Sequence, residues 1–249
     1  MNTIINSQKS IPPFPGGQRT VSQPSLAKLL DMLVAKDTKK TEQFLSSLIS
    51  TGSDGRTILR DIFQPLFQQL AAYISTGQIS QARANVASEI AFQMIRGVID
   101  RYSPKGAFSC SKLAIGCIKG DAHDLGCRLV ANSFEMAGWD VDYLGGDLDK
   151  TEFVQRVVEA EPDLVGISIS NLIHVPALKE LITELHNCEI ADRFKIMVGG
   201  YPFSVNPTFA IEVGADFTAR NAAEAVSKAR RYVIRYTESA PIEVTTFVV

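Results

Sequence analysis

The chain has 249 residues, of which 45% are hydrophobic and 21% charged, with a formal net charge of −2. This length is enough for one large domain or two ordinary ones with a buried core. A net charge this close to zero excludes the strongly basic composition typical of nucleic-acid binding. The absence of 18 consecutive apolar residues makes a membrane span unexpected.

The beginning of the chain and its cysteines bear on the compartment. Residues 1–23 are rich in Gln, Ser, Pro and Gly and lack a charged start followed by an apolar core, so they predict a flexible arm and not a signal peptide. Four cysteines without C-x-x-C spacing favour neither a zinc site nor a thioredoxin-like motif. We expect Cys117 and Cys127 to pack as small apolar side chains in a cytoplasmic protein.

Residues 24–104 carry a helical period of apolar side chains and predict a four-helix bundle. Pro65 falls inside the third segment and predicts either a kink or the true start of that helix. Phe63, Phe67 and Tyr73 have helical spacing, for which core packing is the first interpretation. The four predicted helices are Leu26–Ala35, Thr41–Ile49, Ile58–Ser75 and Ile79–Arg101.

Residues 105–236 alternate short apolar runs with helical patterns, which predicts an α/β fold with a flavodoxin-like, doubly wound, five-stranded parallel sheet. Residues 237–249 predict a tail, whose segment 244–249 could add an edge strand. The predicted strands are Leu113–Ile118, Val141–Leu144, Leu164–Ile169, Ile196–Val198 and Asp216–Thr218. The predicted helices cover about 124–137, 150–160, 176–187, 207–213 and 221–236.

The most informative motif is the segment Asp-x-His-x-x-Gly formed by Asp121, His123 and Gly126, directly after the first predicted strand. It places a histidine at the carboxyl end of a strand, where open α/β sheets bind ligands. Asp121 could orient the imidazole, as a carboxylate does beside a metal-ligating histidine. The alternative is a loop histidine that bonds to Asp121 and holds no metal.

Two further sites lie at strand ends of the same predicted sheet. Ser168 and Ser170 end the third strand, and Gly199 and Gly200 end the fourth. The ends of strands one, three and four meet at the switch point of a flavodoxin-like sheet. The glycine pair gives room for a bulky group near the backbone, although a tight turn is an alternative.

These three sites together resemble the signature of the cobalamin (vitamin B12)-binding domain found in methionine synthase, corrinoid methyl carriers and cobalamin-dependent regulators. The resemblance covers residues 105–236, and residues 24–104 resemble the helical cap that precedes this domain in several members. It implies that His123 is the lower cobalt ligand, in place of the nucleotide base. Asp121 would hold the other imidazole nitrogen, and Ser168 would extend this hydrogen-bond relay.

The resemblance also implies how the rest of cobalamin is held. Its nucleotide tail would pass Gly199 and Gly200, with Ser168 and Ser170 near its base, and Gly126 would leave room beside the first helix of the sheet domain. The cofactor would be adenosyl-, methyl- or hydroxocobalamin. Some of the three cap aromatics could then cover the upper face of the corrin ring.

The chain departs from the family pattern at two places. Ser170 replaces the leucine of Ser-x-Leu, which resembles the regulator branch. In the cap, Ile74 stands at the tryptophan position of the light-sensing regulators, and Ala84 and Asn85 stand at their Glu-His pair. An upper histidine ligand from the cap is excluded, because no histidine precedes His123.

Two functions share this predicted site. The first is a non-catalytic regulator or sensor that acts through a partner protein, such as a kinase or transcription factor, and Ser170 and the glycine pair favour it. The alternative is a corrinoid methyl carrier that works with methyltransferases and takes part in corrinoid-dependent methyl transfer, where the cobalt does the chemistry. A detached mutase subunit is disfavoured by the cap.

Overall fold

The computed structural model describes residues 23–50, 52–102, 111–121 and 124–238. The predicted arm, apart from Gln23, and the possible edge strand at 244–249 lie outside these residues. None of the described helices is both long and apolar enough to cross a membrane.

The first part of the chain is a helical bundle whose third predicted helix is divided. A π-helical turn at 59–63 joins a short helix to a longer one, and Pro65 occupies the first turn of the latter. Proline is favourable there because its missing N–H has no partner in the first turn of a helix. Pro65 therefore marks a helix start. The helices are α1 (Gln23–Val34), α2 (Thr38–Ser50), α3 (Gly55–Ile58), α4 (Gln64–Ser75) and α5 (Gln81–Tyr102).

The core of this bundle comes from one apolar face of each of its main helices. Leu29, Leu33, Phe63, Leu66 and Ile95 are fully buried in a single cluster. Burial of such side chains stabilises the bundle by about 1.5–3 kcal/mol each. The core interpretation is therefore right for Phe63.

The second part is a five-stranded parallel sheet with the strand order β2-β1-β3-β4-β5, which confirms the flavodoxin-like prediction. The predicted helix at 207–213 corresponds to one short helix at 209–212, and a second short helix at 201–205, which was not predicted, precedes it. The strands are β1 (Lys112–Ile118), β2 (Asp140–Leu148), β3 (Leu164–Ser168), β4 (Lys195–Gly199) and β5 (Phe217–Thr218). The helices are α6 (Leu125–Met136), α7 (Lys150–Ala160), α8 (Val175–Asn187), α9 (Tyr201–Val205), α10 (Phe209–Glu212) and α11 (Ala222–Glu238).

The sheet is buried on both faces, as a parallel sheet requires. Helices α7 and α8 contribute to one apolar cluster, and α6 and α11 contribute to the cluster on the other face. The carboxyl ends of β3 and β4 line a cavity whose other side is formed by the helical bundle.

Strand β2 is longer than predicted because its pairing with β1 continues through two irregularities. Ile115 pairs with Tyr143, but Gly116 pairs with Gly145 and Ile118 with Leu148, so β2 contains two extra residues. Bulges of this kind re-aim side chains near a strand end. The glycines of this segment interrupted the apolar pattern, which is why the predicted strand ended at Leu144.

The bundle is attached to the sheet domain mainly through α5 and α6. Arg96 of α5 forms an ion pair with Glu135 of α6 at 3.0 Å. Arg128 of α6 pairs with Glu89 at 3.2 Å, and its guanidinium lies 3.8 Å from the ring centroid of Phe92. The bundle therefore lies as a cap over the carboxyl edge of the sheet.

Candidate cofactor site

A cavity of about 980 Å³ lies between the cap and the carboxyl edge of the sheet. It continues downward between the strand ends and the helices α6 and α11, so that it is deep as well as wide. Its volume is at the upper end of the range for ligand pockets. Representative lining residues are Leu59, Gln64, Phe67 and Asn85 of the cap, Gly126 of α6, Ser168, Gly199 and Gly200 at strand ends, and Ala225 of α11.

Two glycines of the cavity wall border open space. A Cβ atom built on Gly126 or on Gly199 would meet no other atom within 4 Å. Packing within the chain therefore does not require a glycine at either position. A bulky ligand in this part of the cavity would require a glycine at both positions. The open space beside them therefore fits the tail of a large cofactor.

Gly200 has a different role, which lies in the backbone. Its φ is +105°, and a Cβ atom there would lie 1.9 Å from the carbonyl oxygen of Ile169. Only glycine fits this position without moving the chain. The tight-turn alternative thus accounts for Gly200, while it does not account for Gly199.

The carboxylate of Asp121 links the loop after β1 to the loop after β3. Asp121 is 1% exposed, and it accepts hydrogen bonds from the backbone amide of Ser170 and, at 2.9 Å, from the Ser170 hydroxyl. The resemblance implies that Ser168 extends the relay, and that role stays a prediction. Ser168 is still paired within the sheet, opposite Gly199, whereas Ser170 lies beyond the strand end, where it reaches the carboxylate.

His123 lies outside the described residues, as does Cys110. The described neighbours of His123 are Asp121 before it and Asp124 after it. Asp124 lines the cavity and stands at the N-cap position of α6, but its side chain makes no capping bond. The expected role of His123 as cobalt ligand therefore remains a prediction.

The side chain that bonds to Asp124 is Tyr143, which the sequence analysis missed. Its hydroxyl donates to Oδ2 of Asp124 at 2.8 Å. Burial, and then the hydrogen bond to the Asp124 carboxylate, raise the pKa of the Tyr143 phenol well above its usual value. The phenol therefore stays protonated and acts as a donor. Its place near the end of the predicted strand Val141–Leu144 was the available signal in the sequence.

The two buried cysteines lie against each other, and Cys127 also lines the cavity. The contact with the Cys117 thiol and burial raise the pKa of Cys127 well above its ordinary value. Both thiols are buried and free, as expected of small apolar side chains.

The cap side of the cavity carries amide groups as well as apolar ones. Gln81 donates a hydrogen bond to Asn85 at 2.8 Å, and both line the cavity. Phe67 lines the cavity and also stacks on Phe92, with ring centroids 4.8 Å apart, so it packs in the cap and borders the cavity at once. Tyr73 packs against the cap core.

A doubly wound parallel sheet, a helical cap and a deep cavity between them define a protein that encloses a large, elongated cofactor. The B12 binding domain family matches residues 111–229. The chain is 33% identical over 130 residues to Dimethylamine corrinoid protein 3 of Methanosarcina mazei, covering 51% of this chain and 76% of that protein. The chain belongs to the B12-binding family, and this confirms the prediction of a cobalamin cofactor.

A second relative and a solved structure extend this similarity. The chain is 36% identical over 130 residues to the Dimethylamine corrinoid protein of Methanosarcina barkeri, but the matched part is only 60% of that protein. The structure of the Methanosarcina barkeri monomethylamine corrinoid protein is similar with a TM-score of 0.67 and 23% identity. It covers 84% of this chain and 98% of that one, so the two share the fold of cap and sheet domain.

Proposed function

We propose that the chain is a corrinoid methyl-carrier protein that holds cobalamin between cap and sheet and works with methyltransferases. The observation that carries this proposal is the match to relatives named as corrinoid proteins, combined with a capped cavity of suitable depth. The regulator hypothesis rested partly on Ser170. Its bonds to Asp121 now give that residue a structural explanation, so it no longer favours a regulator.

Cobalamin would be held by residues of the sheet edge and of α6. His123 would be the lower cobalt ligand, and the open space beside Gly126 and Gly199 would receive the nucleotide tail. Ser168 lines the same part of the cavity. When bound, the cobalt of cobalamin supplies the chemistry by which a methyl group is accepted and passed on.

The chain's own contribution is to orient the ligand histidine and to exclude water. Asp121 is held by Ser170, and a carboxylate beside an imidazole fixes the tautomer and raises the basicity of the ring. Asp121 would therefore keep the proton on the imidazole nitrogen that faces away from the metal. The apolar side chains of Leu59 and Phe67 would cover the opposite side of the cavity and limit the access of water.

The test has a binding step and a transfer step. The chain loaded with hydroxocobalamin should show the visible spectrum of a histidine-ligated cobalamin, and His123→Ala should lose that spectrum. The reduced, loaded chain should then become methylated when dimethylamine and a dimethylamine methyltransferase are added together, but not when either is omitted.

One result would replace this proposal with the regulator hypothesis. The chain would bind cobalamin but accept no methyl group from dimethylamine, from other methylamines or from methanol with their methyltransferases. Its oligomeric state would instead change between cobalamin forms or on illumination.

A further inference from the structure

The bulged end of β2 lies against the loop that carries the histidine motif. The amide of Gly120 donates to Oδ1 of Asp147 at 2.7 Å. A Cβ atom on Gly146 would lie only 3.3 Å from Cβ of Asp124, so the two segments approach closely. Between these contacts, the Tyr143 hydroxyl reaches Asp124. Tyr143 lies opposite Ile115, before the irregularities, and the two extra residues of β2 follow it, between Tyr143 and Leu148.

The same loop is fixed on its other side by β3. Asp121 bonds to Ser170, just beyond the end of that strand, and Asp124 bonds to Tyr143 on β2. Strands β3 and β2 are the two neighbours of β1 in the sheet. Asp121 and Asp124, which precede and follow positions 122 and 123 in the sequence, are therefore held from opposite sides. One bonds to a hydroxyl just beyond β3 and the other to a hydroxyl of β2.

We infer that Tyr143 is a positioning residue for the lower cobalt ligand, which acts through Asp124 and not by touching the cofactor. The inference rests on the proposed function only in taking His123 as that ligand. With one anchor removed, the loop gains alternative arrangements, and the arrangement that binds cobalt becomes a smaller fraction of the population.

Asp121 alone is a weaker explanation of how the loop is positioned. Its bonds fix the residue before the described break, but they leave the residue after it free to move with the start of α6. Asp124 is the first described residue after His123, and its side chain makes no bond to the amides of α6. The bond from Tyr143 therefore gives this end of the loop a hydrogen bond to the sheet, beside the close approach of Gly146 to Asp124.

The experiment compares Tyr143→Phe with Tyr232→Phe, each of which removes one hydroxyl group and keeps the ring. Tyr232 lies on α11 and stacks on Phe217, away from the loop. Each full-length variant is loaded with cob(II)alamin and measured by electron paramagnetic resonance, in which one axial nitrogen splits the cobalt lines into three. The parent and Tyr232→Phe should show this splitting. In Tyr143→Phe the ratio of histidine-bound to histidine-free cobalt should fall by about tenfold, the size expected for the loss of a hydrogen bond to a charged group.

Hydrogen exchange of the chain without cofactor gives a second measurement. The amides of residues 120–125 should exchange about tenfold faster in Tyr143→Phe than in Tyr232→Phe, because local opening needs one bond fewer. Asp124→Asn should change both measurements in the same direction. Combined with Tyr143→Phe it should add little, since the two side chains form one interaction.

The outcomes separate this inference from the proposed function. If the parent shows the nitrogen splitting, His123→Ala loses it and Tyr143→Phe retains it in full with unchanged exchange, the positioning role is wrong and the ligand assignment stands. If the parent itself shows no splitting, the ligand assignment fails and the inference fails with it. If Asp124→Asn is affected but Tyr143→Phe is not, Asp124 acts without the tyrosine.

Discussion

The two walls of the cavity are built in different ways. The sheet wall consists of strand ends, and its groups are fixed by the backbone or buried, as Gly199, Gly200 and Val198 are. The cap wall consists of side chains such as Gln68 and Asn85 that project from exposed helix faces. A wall made of backbone leaves few alternatives to a substituted residue, whereas a wall of long side chains can rearrange. We therefore expect cofactor binding to depend most on the sheet wall.

The largest expected effect separates two adjacent glycines. Gly199→Leu should lower the affinity for hydroxocobalamin by at least about 100-fold, the equivalent of about 2.7 kcal/mol, because the side chain fills open space. The same open space means that the melting temperature without cofactor should change little. An absorbance titration and thermal unfolding followed by circular dichroism measure the two quantities.

The control for that prediction is the neighbouring residue. Gly200→Ala should lower the free energy of unfolding by more than about 2 kcal/mol, because its Cβ meets the Ile169 carbonyl at a positive φ. Unchanged cobalamin affinity in Gly199→Leu would show that the tail does not occupy this slot.

The next effect concerns the buried carboxylate. Asp121→Asn should lower the free energy of unfolding by about 2–3 kcal/mol in urea titrations, since it weakens bonds to a buried charged group. Ser170→Ala should cost about half as much, because the backbone amide of residue 170 still donates. Equal losses would mean that the hydroxyl alone carries the interaction.

A smaller change in the free energy of unfolding, this time an increase, is expected for a substitution in α6. Gly126→Ala should raise the free energy of unfolding without cofactor by about 0.5 kcal/mol, because alanine is the better helix residue. It should also lower cobalamin affinity by about tenfold, since the methyl group enters space that the cofactor needs.

The matched control for Gly126 lies in the cap. Gly97 is a helical glycine of α5, and its added Cβ would make an ordinary contact, 3.7 Å from Leu45. Gly97→Ala should stabilise the chain to a similar extent and leave the affinity unchanged. Weaker binding in both variants would show that stiffening of the helices, and not filled space, reduces the affinity.

The smallest effect is expected where the cap meets the sheet domain. Arg96 is 59% exposed, so its ion pair with Glu135 is screened by solvent. Arg96→Gln should change the free energy of unfolding by less than about 1 kcal/mol and should be nearly silent at high salt. If Arg96→Gln lowered the free energy of unfolding by more than about 2 kcal/mol, this ion pair would stabilise the chain as much as the contacts of the sheet wall do.

The elements that the sequence predicted well are those with a simple period. The five strands and the cap helices follow apolar spacing, and the order of the strands follows from alternation of strand and helix. The apolar spacing did not indicate the π-helical turn that divides the third predicted cap helix, and Pro65 was the one sign of it in the sequence. The continuation of β2 past Leu144 was hidden because bulges break the period of two.

The candidate site shows the same limit. The residues named from the motif, such as Gly126, Ser168 and Gly199, line one cavity. The bond from Ser170 to Asp121 could not be predicted from the motif, because distance along the chain does not tell which hydroxyl lies beyond a strand end. Tyr143 was missed for a related reason, since its contact with Asp124 depends on the three-dimensional path of β2.

The π-helical turn at residues 59–63 sets how the next cap helix, α4, is rotated about its own axis. Its backbone hydrogen bonds span five residues in place of the four of an α-helix, so each residue turns the chain by a smaller angle and the rotation of α4 is delayed. This keeps Leu59, before the turn's end, and Phe67, after it, on the same stripe toward the cofactor. Deleting a single residue from this turn while its wide hydrogen bonding remains would rotate α4 by about 100° and move its inward face to the flank of the helix.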